Sequence, residues 1–124
     1  MMAETGWTIR PVAGLISSRD FFEGLANKVF CSTQFIRSDE NIEFSPLPDM
    51  IHEVIGHTSS LATEQFSTLA EEFGKISLKL NDKEIDRLAK LYWYTNEVGM
   101  IKNSEGIKVY GAAIVSSPKE SIHC

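Results

Sequence analysis

The sequence is short of basic residues, cysteine and histidine, and each shortage removes a class of function. Twelve Lys and Arg stand against seventeen Asp and Glu, a formal net charge of -5, the wrong sign for a nucleic-acid backbone or an anionic membrane surface. Two cysteines, Cys31 and Cys124, are too few for a disulfide framework, so a reducing compartment, the cytoplasm, is the default. No stretch reads as a signal peptide or a membrane span, and no internal repeat, charge run or low-complexity tract is present. What remains is ordinary globular composition, 43% hydrophobic and 10% aromatic over 124 residues, enough for one small domain at most.

The three histidines are unevenly placed. Two of them, His52 and His57, fall in Pro48-Asp49-Met50-Ile51-His52-Glu53-Val54-Ile55-Gly56-His57, and neutral imidazole is the commonest biological ligand for zinc, copper and iron. Zinc proteases use His-Glu-x-x-His, with the rings four apart on one helix face. Here they are five apart, and a regular helix would splay them by roughly 140°. Gly56 can relieve this by loosening the backbone just before His57. Pro48 and Asp49 suit a first turn, so a short helix is expected from about Pro48 to Gly56.

Two imidazoles do not complete a metal site. A third ligand is available at Glu97, near the end of a long helix starting at Asn81 and Glu84, whose apolar face carries Ile85, Leu88, Ala89, Tyr92, Trp93 and Met100. A carboxylate at the edge of such a face is drawn inward and needs a cation there. Two histidines and a carboxylate on one side of an ion form the facial triad of non-haem Fe(II) oxygenases.

With these residues in place the chain resembles the pterin-dependent aromatic amino acid hydroxylases, the phenylalanine, tyrosine and tryptophan hydroxylases. The likeness runs from about Gly6 to Ile122. It is carried by the stretch from Arg10 to Phe21, by Pro48 to His57, by Leu91 to Gly99, and by Tyr110-Gly111-Ala112 with Ile114-Val115-Ser116-Ser117. The implied fold is a mainly α catalytic domain with a small β-hairpin, truncated, with residues 1–124 as one partial iron- and pterin-binding domain. The implied cofactors are Fe(II) and tetrahydrobiopterin. The implied substrates are an aromatic amino acid and dioxygen.

Residue roles follow from the resemblance, position by position. His52, His57 and Glu97 would hold the iron. Val12, Gly14, Ile16, Ser18, Phe21, Cys31, Glu53 and Tyr92 would bind the pterin, Phe21 by stacking on its ring. From the residues alone, Phe21 and Phe22 read as core. Cys31 stands where the family usually has a His that contacts the pterin, and Leu47 replaces a common Glu. Arg37, Ser45, Pro48, Trp93, Val98, Ala113 and Ser116 would line the substrate site, with Arg37 on the substrate carboxylate; without the resemblance Arg37 reads as a solvated surface charge. Thr58-Ser59-Ser60-Leu61 departs from the family's Val-Pro and two bulky apolar residues, which suggests a wetter or remodelled surround. Glu53 takes a role beside the pterin, with acid-base catalysis as the rival.

The remaining elements follow from local patterns. Gly6 to Ile16 reads as an ordered loop, with Pro11 and Gly14 as breakers. Ser17 or Ser18 caps a helix to about Val29. Phe44-Ser45-Pro46-Leu47-Pro48 is a rigid lead into the metal helix. Thr63 caps a helix from about Glu64 to Leu78, and Asn103 to Gly106 turns a hairpin whose second arm is Ile107 to Tyr110. A chain this short should expose apolar surface and self-associate. Two other functions stay open: a truncated, inactive metal-binding remnant, and a zinc hydrolase using Glu53 as base.

Overall fold

The computed structural model describes residues 2–43 and 45–123. Phe44 of the proline-rich lead and Cys124 lie outside them. A first turn, α1 (Met2–Thr5), leads to strand β1 (Thr8–Pro11), which pairs in parallel with β2 (Val29–Ser32) in the register Thr8 to Val29 and Arg10 to Cys31. The expected Gly6 to Ile16 loop is therefore a strand over its middle, because Pro11 sits at the strand's end, where a missing N–H costs little.

Helix α2 (Ser18–Ala26) makes the crossover between these strands. The Ser17 hydroxyl caps it by accepting from the Asp20 amide at 3.1 Å. It ends three residues before Val29, because Lys28 enters the left-handed region at φ 56 and turns the chain into β2.

A short 3-10 turn (Asp39–Asn41) precedes the helix that carries the histidines. Its core is a π-helix (His52–Thr58), continued by α3 (Ser59–Leu61). Helix α4 (Glu64–Ser77) follows; Thr63 holds its N-cap position but makes no side-chain cap, its hydroxyl donating instead to the Ser60 carbonyl at 2.8 Å. Helix α5 (Asp82–Tyr92) begins with the capping box expected of Asn81 and Glu84 and runs into a second π-helix (Trp93–Glu97). The hairpin β3 (Met100–Asn103) and β4 (Gly106–Val109) is antiparallel, as its turn residues predict. Helices α6 (Ala112–Val115) and α7 (Pro118–His123) close the described chain.

The core is Trp7, Phe22, Leu25, Phe30, Leu61, Ala70, Phe73, Ile85, Leu88 and Tyr92. It welds α2 to α4 and α5, and Gly74 lets α2 approach: a Cβ there would lie 2.0 Å from the Ala26 amide nitrogen. Two residues expected on the apolar face of the long helix leave it. Trp93 is 52% exposed and Met100 lies in β3, because the α-helical period stops at Tyr92. Many large apolar side chains are exposed, among them Leu15, Tyr94 and Ile107. Among the described residues no helix is long and apolar enough to cross a membrane.

Candidate metal centre

Each ligand-bearing stretch is a π-helix, and that resolves the histidine spacing. A turn closed by i to i+5 hydrogen bonds stacks residues five apart, so both rings leave the helix on one side. Gly56 contributes by packing rather than by loosening the backbone: a Cβ on it would stand 2.7 Å from the Ala112 Cβ, so its lack of a side chain seats α6 against the helix. The carbonyls of the π-turn are covered by hydroxyls. Thr58 Oγ1 donates to the Glu53 carbonyl at 3.0 Å, Ser60 Oγ to that of His57 at 2.7 Å, and Ser59 Oγ to that of Ile55. The polar run after His57 therefore satisfies carbonyls of its own backbone, a role that bulky apolar residues could not fill.

His52 Nε2 faces His57 Nε2 at 3.2 Å. Glu97 Oε1 lies 2.9 Å from His57 Nε2, and Oε2 lies 3.5 Å from His52 Nε2. Among the described residues these three form a group whose ligand atoms all lie within 4.8 Å of one another. A proton on His57 Nε2 can satisfy Oε1, but Glu97 Oε2 is buried without a hydrogen-bond partner. A cation among the three groups satisfies both oxygens and both nitrogens, so the donor set fits a metal of the kind bound by two imidazoles and a carboxylate.

The surroundings prepare the ligands. Ser116 Oγ donates to the Ala112 carbonyl at 2.7 Å and meets His52 Nδ1 at 2.9 Å. Its hydroxyl hydrogen is thus committed, so His52 donates from Nδ1 and leaves Nε2 bare. Burial and the neighbouring His57 lower the His52 pKa to about 4, against the pull of Glu97 and Asp49. Burial raises Glu97, but its hydrogen bond and charge interaction with His57 and the charge of His52 outweigh that and hold it low.

Asp49 was missed as a site residue. It is fully buried, and its two oxygens accept from Arg37 Nε at 2.8 Å, Arg37 Nη2 at 2.6 Å, the Arg37 amide at 2.9 Å and the His52 amide at 3.0 Å. Burial alone would raise its pKa, but these bonds and the guanidinium charge hold it far below the usual carboxylate range. The signal was an aspartate three residues before a helical amide, the N-cap position. Arg37 is correspondingly no surface charge. Its side chain is 3% exposed, and Nη1 donates to the carbonyls of Ser116 and Ile42. Its planar fork is turned onto Asp49, leaving one Nη2 hydrogen for another acceptor.

Two cavities open on either side of these groups. The larger, about 350 Å³, is lined by all eight residues expected around a pterin: Val12, Gly14, Ile16, Ser18, Phe21, Cys31, Glu53 and Tyr92. Phe21 is half-buried, with edge contacts to Phe22, Phe30 and Tyr92, while Phe22 is wholly core. Cys31 is a buried free thiol 3.4 Å from Arg10 Nη2. Burial raises the Glu53 carboxyl pKa, offset in part by His57 and by Thr33, whose amide and hydroxyl lie 3.5 Å away. The smaller cavity, about 170 Å³, gathers Arg37, Ser45, Pro48, Trp93, Ala113 and Ser116. Val98 lines neither cavity.

The family model for biopterin-dependent aromatic amino acid hydroxylases matches residues 1–124. The chain belongs to that family. It is 50% identical over 119 residues to a chloroplastic phenylalanine 4-monooxygenase of Pinus taeda, covering 96% of this chain and 34% of that protein. It is 45% identical over 120 residues to human tyrosine 3-monooxygenase, covering 97% of this chain and 23% of that protein. The phenylalanine hydroxylase of Chromobacterium violaceum, solved with iron(III) and 7,8-dihydrobiopterin, superposes with a TM-score of 0.93 at 41% identity, over 99% of this chain and 45% of that one. This member of the hydroxylase family thus has the helical hydroxylase fold and spans about a third or less of the length of these two curated relatives.

Proposed function

We propose that residues 1–124 form the iron- and pterin-binding part of a hydroxylase catalytic domain, acting on the ring of an aromatic amino acid. The observation that carries this reading is the convergence of His52 Nε2, His57 Nε2 and the unpartnered Glu97 Oε2 at the meeting point of two cavities. Iron and tetrahydropterin, when bound, supply the electrons and activated oxygen that ring hydroxylation needs.

The chain's own residues do the rest. His52, His57 and Glu97 hold the metal, with Ser116 fixing the His52 ring through Nδ1. Val12, Gly14, Ile16, Ser18, Phe21, Cys31 and Tyr92 enclose the pterin, and Glu53 presents a buried carboxyl to it. Pro48, Trp93 and Ala113 flank the substrate ring, beside Ser45. The Arg37 charge draws the substrate carboxylate, with one Nη2 hydrogen free to bind it rather than the full fork. Apolar walls keep water from the reacting centre. We place the protein in the cytoplasm, with exposed apolar surface favouring self-association.

The test is anaerobic Fe(II) titration followed by tetrahydropterin-dependent oxygen uptake with phenylalanine, tyrosine and tryptophan. Ring-hydroxylated product from one of them is the expected result. Iron binding with no hydroxylation of any would support an inactive remnant. Stoichiometric zinc with peptidase activity would support a hydrolase with Glu53 as base.

A further inference from the structure

The two histidines are held differently. His52 has Ser116 at Nδ1. The polar contacts of the His57 ring, to His52 and Glu97, both run through Nε2, and among the described residues none is made by Nδ1, although the side chain is only 7% exposed. Histidines that ligate metals nearly always donate through the other nitrogen, which fixes tautomer and ring direction. Beside His57 lies a third, separate cavity with about 10 Å³ of room, space for one water molecule. Its walls are mostly apolar, Phe30, Leu61 and Phe66 among them, with Tyr92 shared with the larger cavity; two further polar side chains line it, Ser60 and Asn96. Neither of these lines the larger cavities on the Nε2 side.

Both polar groups have acceptor capacity to spare. Ser60 Oγ donates its hydrogen to the His57 carbonyl, which leaves its lone pairs. Asn96 Nδ2 donates to Thr95 Oγ1 at 3.1 Å, which leaves Oδ1. We propose that this cavity is a built site for a single ordered water. The water accepts from His57 Nδ1–H and donates its two hydrogens to Asn96 Oδ1 and Ser60 Oγ, three bonds that satisfy it. It keeps the His57 proton on Nδ1 and leaves Nε2 free for a metal, the tautomer that Ser116 sets on His52. Ser60 lies three residues after His57 and Asn96 immediately before Glu97, so the same water ties together the two segments that carry the ligands. Ser60 and Asn96 are then positioning residues for His57. The inference rests on the metal reading above.

Cobalt(II) is the probe, because its visible absorption reports ligand geometry. In crystals of the cobalt-loaded chain, one ordered water is expected within hydrogen-bond reach of His57 Nδ1. Asn96→Leu, which fills the cavity with hydrocarbon, should raise the cobalt Kd on the order of tenfold and shift the cobalt bands, while Tm holds or rises. Ser60→Ala should do the same to a smaller extent, and it decides the matter if Asn96→Leu does not fold. A dry cavity, or variants with unchanged Kd and spectrum, overturns the water site alone. Wild-type chain that fails to bind cobalt overturns both this site and the proposed function.

Discussion

Removing the Asp49 carboxylate should damage this protein more than any other single truncation near the site. Four donors end on its two oxygens: the Arg37 Nε, Nη2 and backbone amide, and the His52 amide. Asp49→Ala leaves all four unanswered, and one of them is a guanidinium with 3% side-chain exposure. Breaking one partner of a buried ion pair costs about 3–5 kcal/mol, since the remaining charge stays desolvated. Against a total stability of roughly 5–15 kcal/mol, that is a large share. In urea, with m of about 1–3 kcal/mol/M, the midpoint should fall by roughly 2 M. Asp49→Asn keeps the volume and one acceptor oxygen, so it should fall between. The assay is urea unfolding followed by far-UV circular dichroism, on the metal-free chain so that ligand loss does not contribute. An Asp49→Ala midpoint within 0.3 M or so of wild type, at unchanged m, would refute the claim that this pair anchors the helix.

Four further outcomes are expected. His52→Ala should abolish stoichiometric iron binding, checked by metal analysis after gel filtration. Cys31→His, which restores the family's usual residue, should tighten tetrahydropterin binding severalfold by calorimetry, and weaker binding would count against the cavity assignment. Gly56→Ala must displace α6, since the new Cβ would meet that of Ala112 at 2.7 Å; overpacking of this kind costs about 1–3 kcal/mol and should appear as a lowered Tm together with weakened metal binding. On acidification, His52 protonates near pH 6.5 when unfolded but only at about 4 when folded. The unfolded state therefore binds the extra proton first, and urea stability of the metal-free chain should fall as pH drops from about 6.5 towards 4; for Asp49, also depressed in the fold, stabilisation is present above about pH 4 and lost below it.

The grouping of His52, His57 and Glu97 as candidate ligands was legible in the sequence because their chemistry is rare: few imidazoles, two of them close together, and one acid at the margin of an apolar stripe. The capping residues Ser17, Asn81 and Glu84 were legible because caps are local. The backbone device that unites the ligands was not. A π-turn has no compositional signature: the histidine stretch read as a short helix loosened at Gly56, and the Glu97 stretch as the end of a long regular helix, which also misplaced Trp93 and Met100. The tie between Arg37 and Asp49 was hidden for another reason. It joins residues twelve apart across a loop, and the same arginine read in isolation suits solvent or a substrate equally well. Strand β1 was hidden because its partner is contributed by a later segment, and of the two breakers Pro11 sits at the strand's end while Gly14 lies beyond it.

The wide turn from His52 to Thr58 also bears on how such a chain can vary. Losing or gaining a single residue between the rings would swing one imidazole to another side of the helix, whatever the chemical identity of the residues that remain. The count of residues there is thus constrained independently of their character, so Val54 and Ile55, both about half exposed, are free to change type while the length of the interval is not.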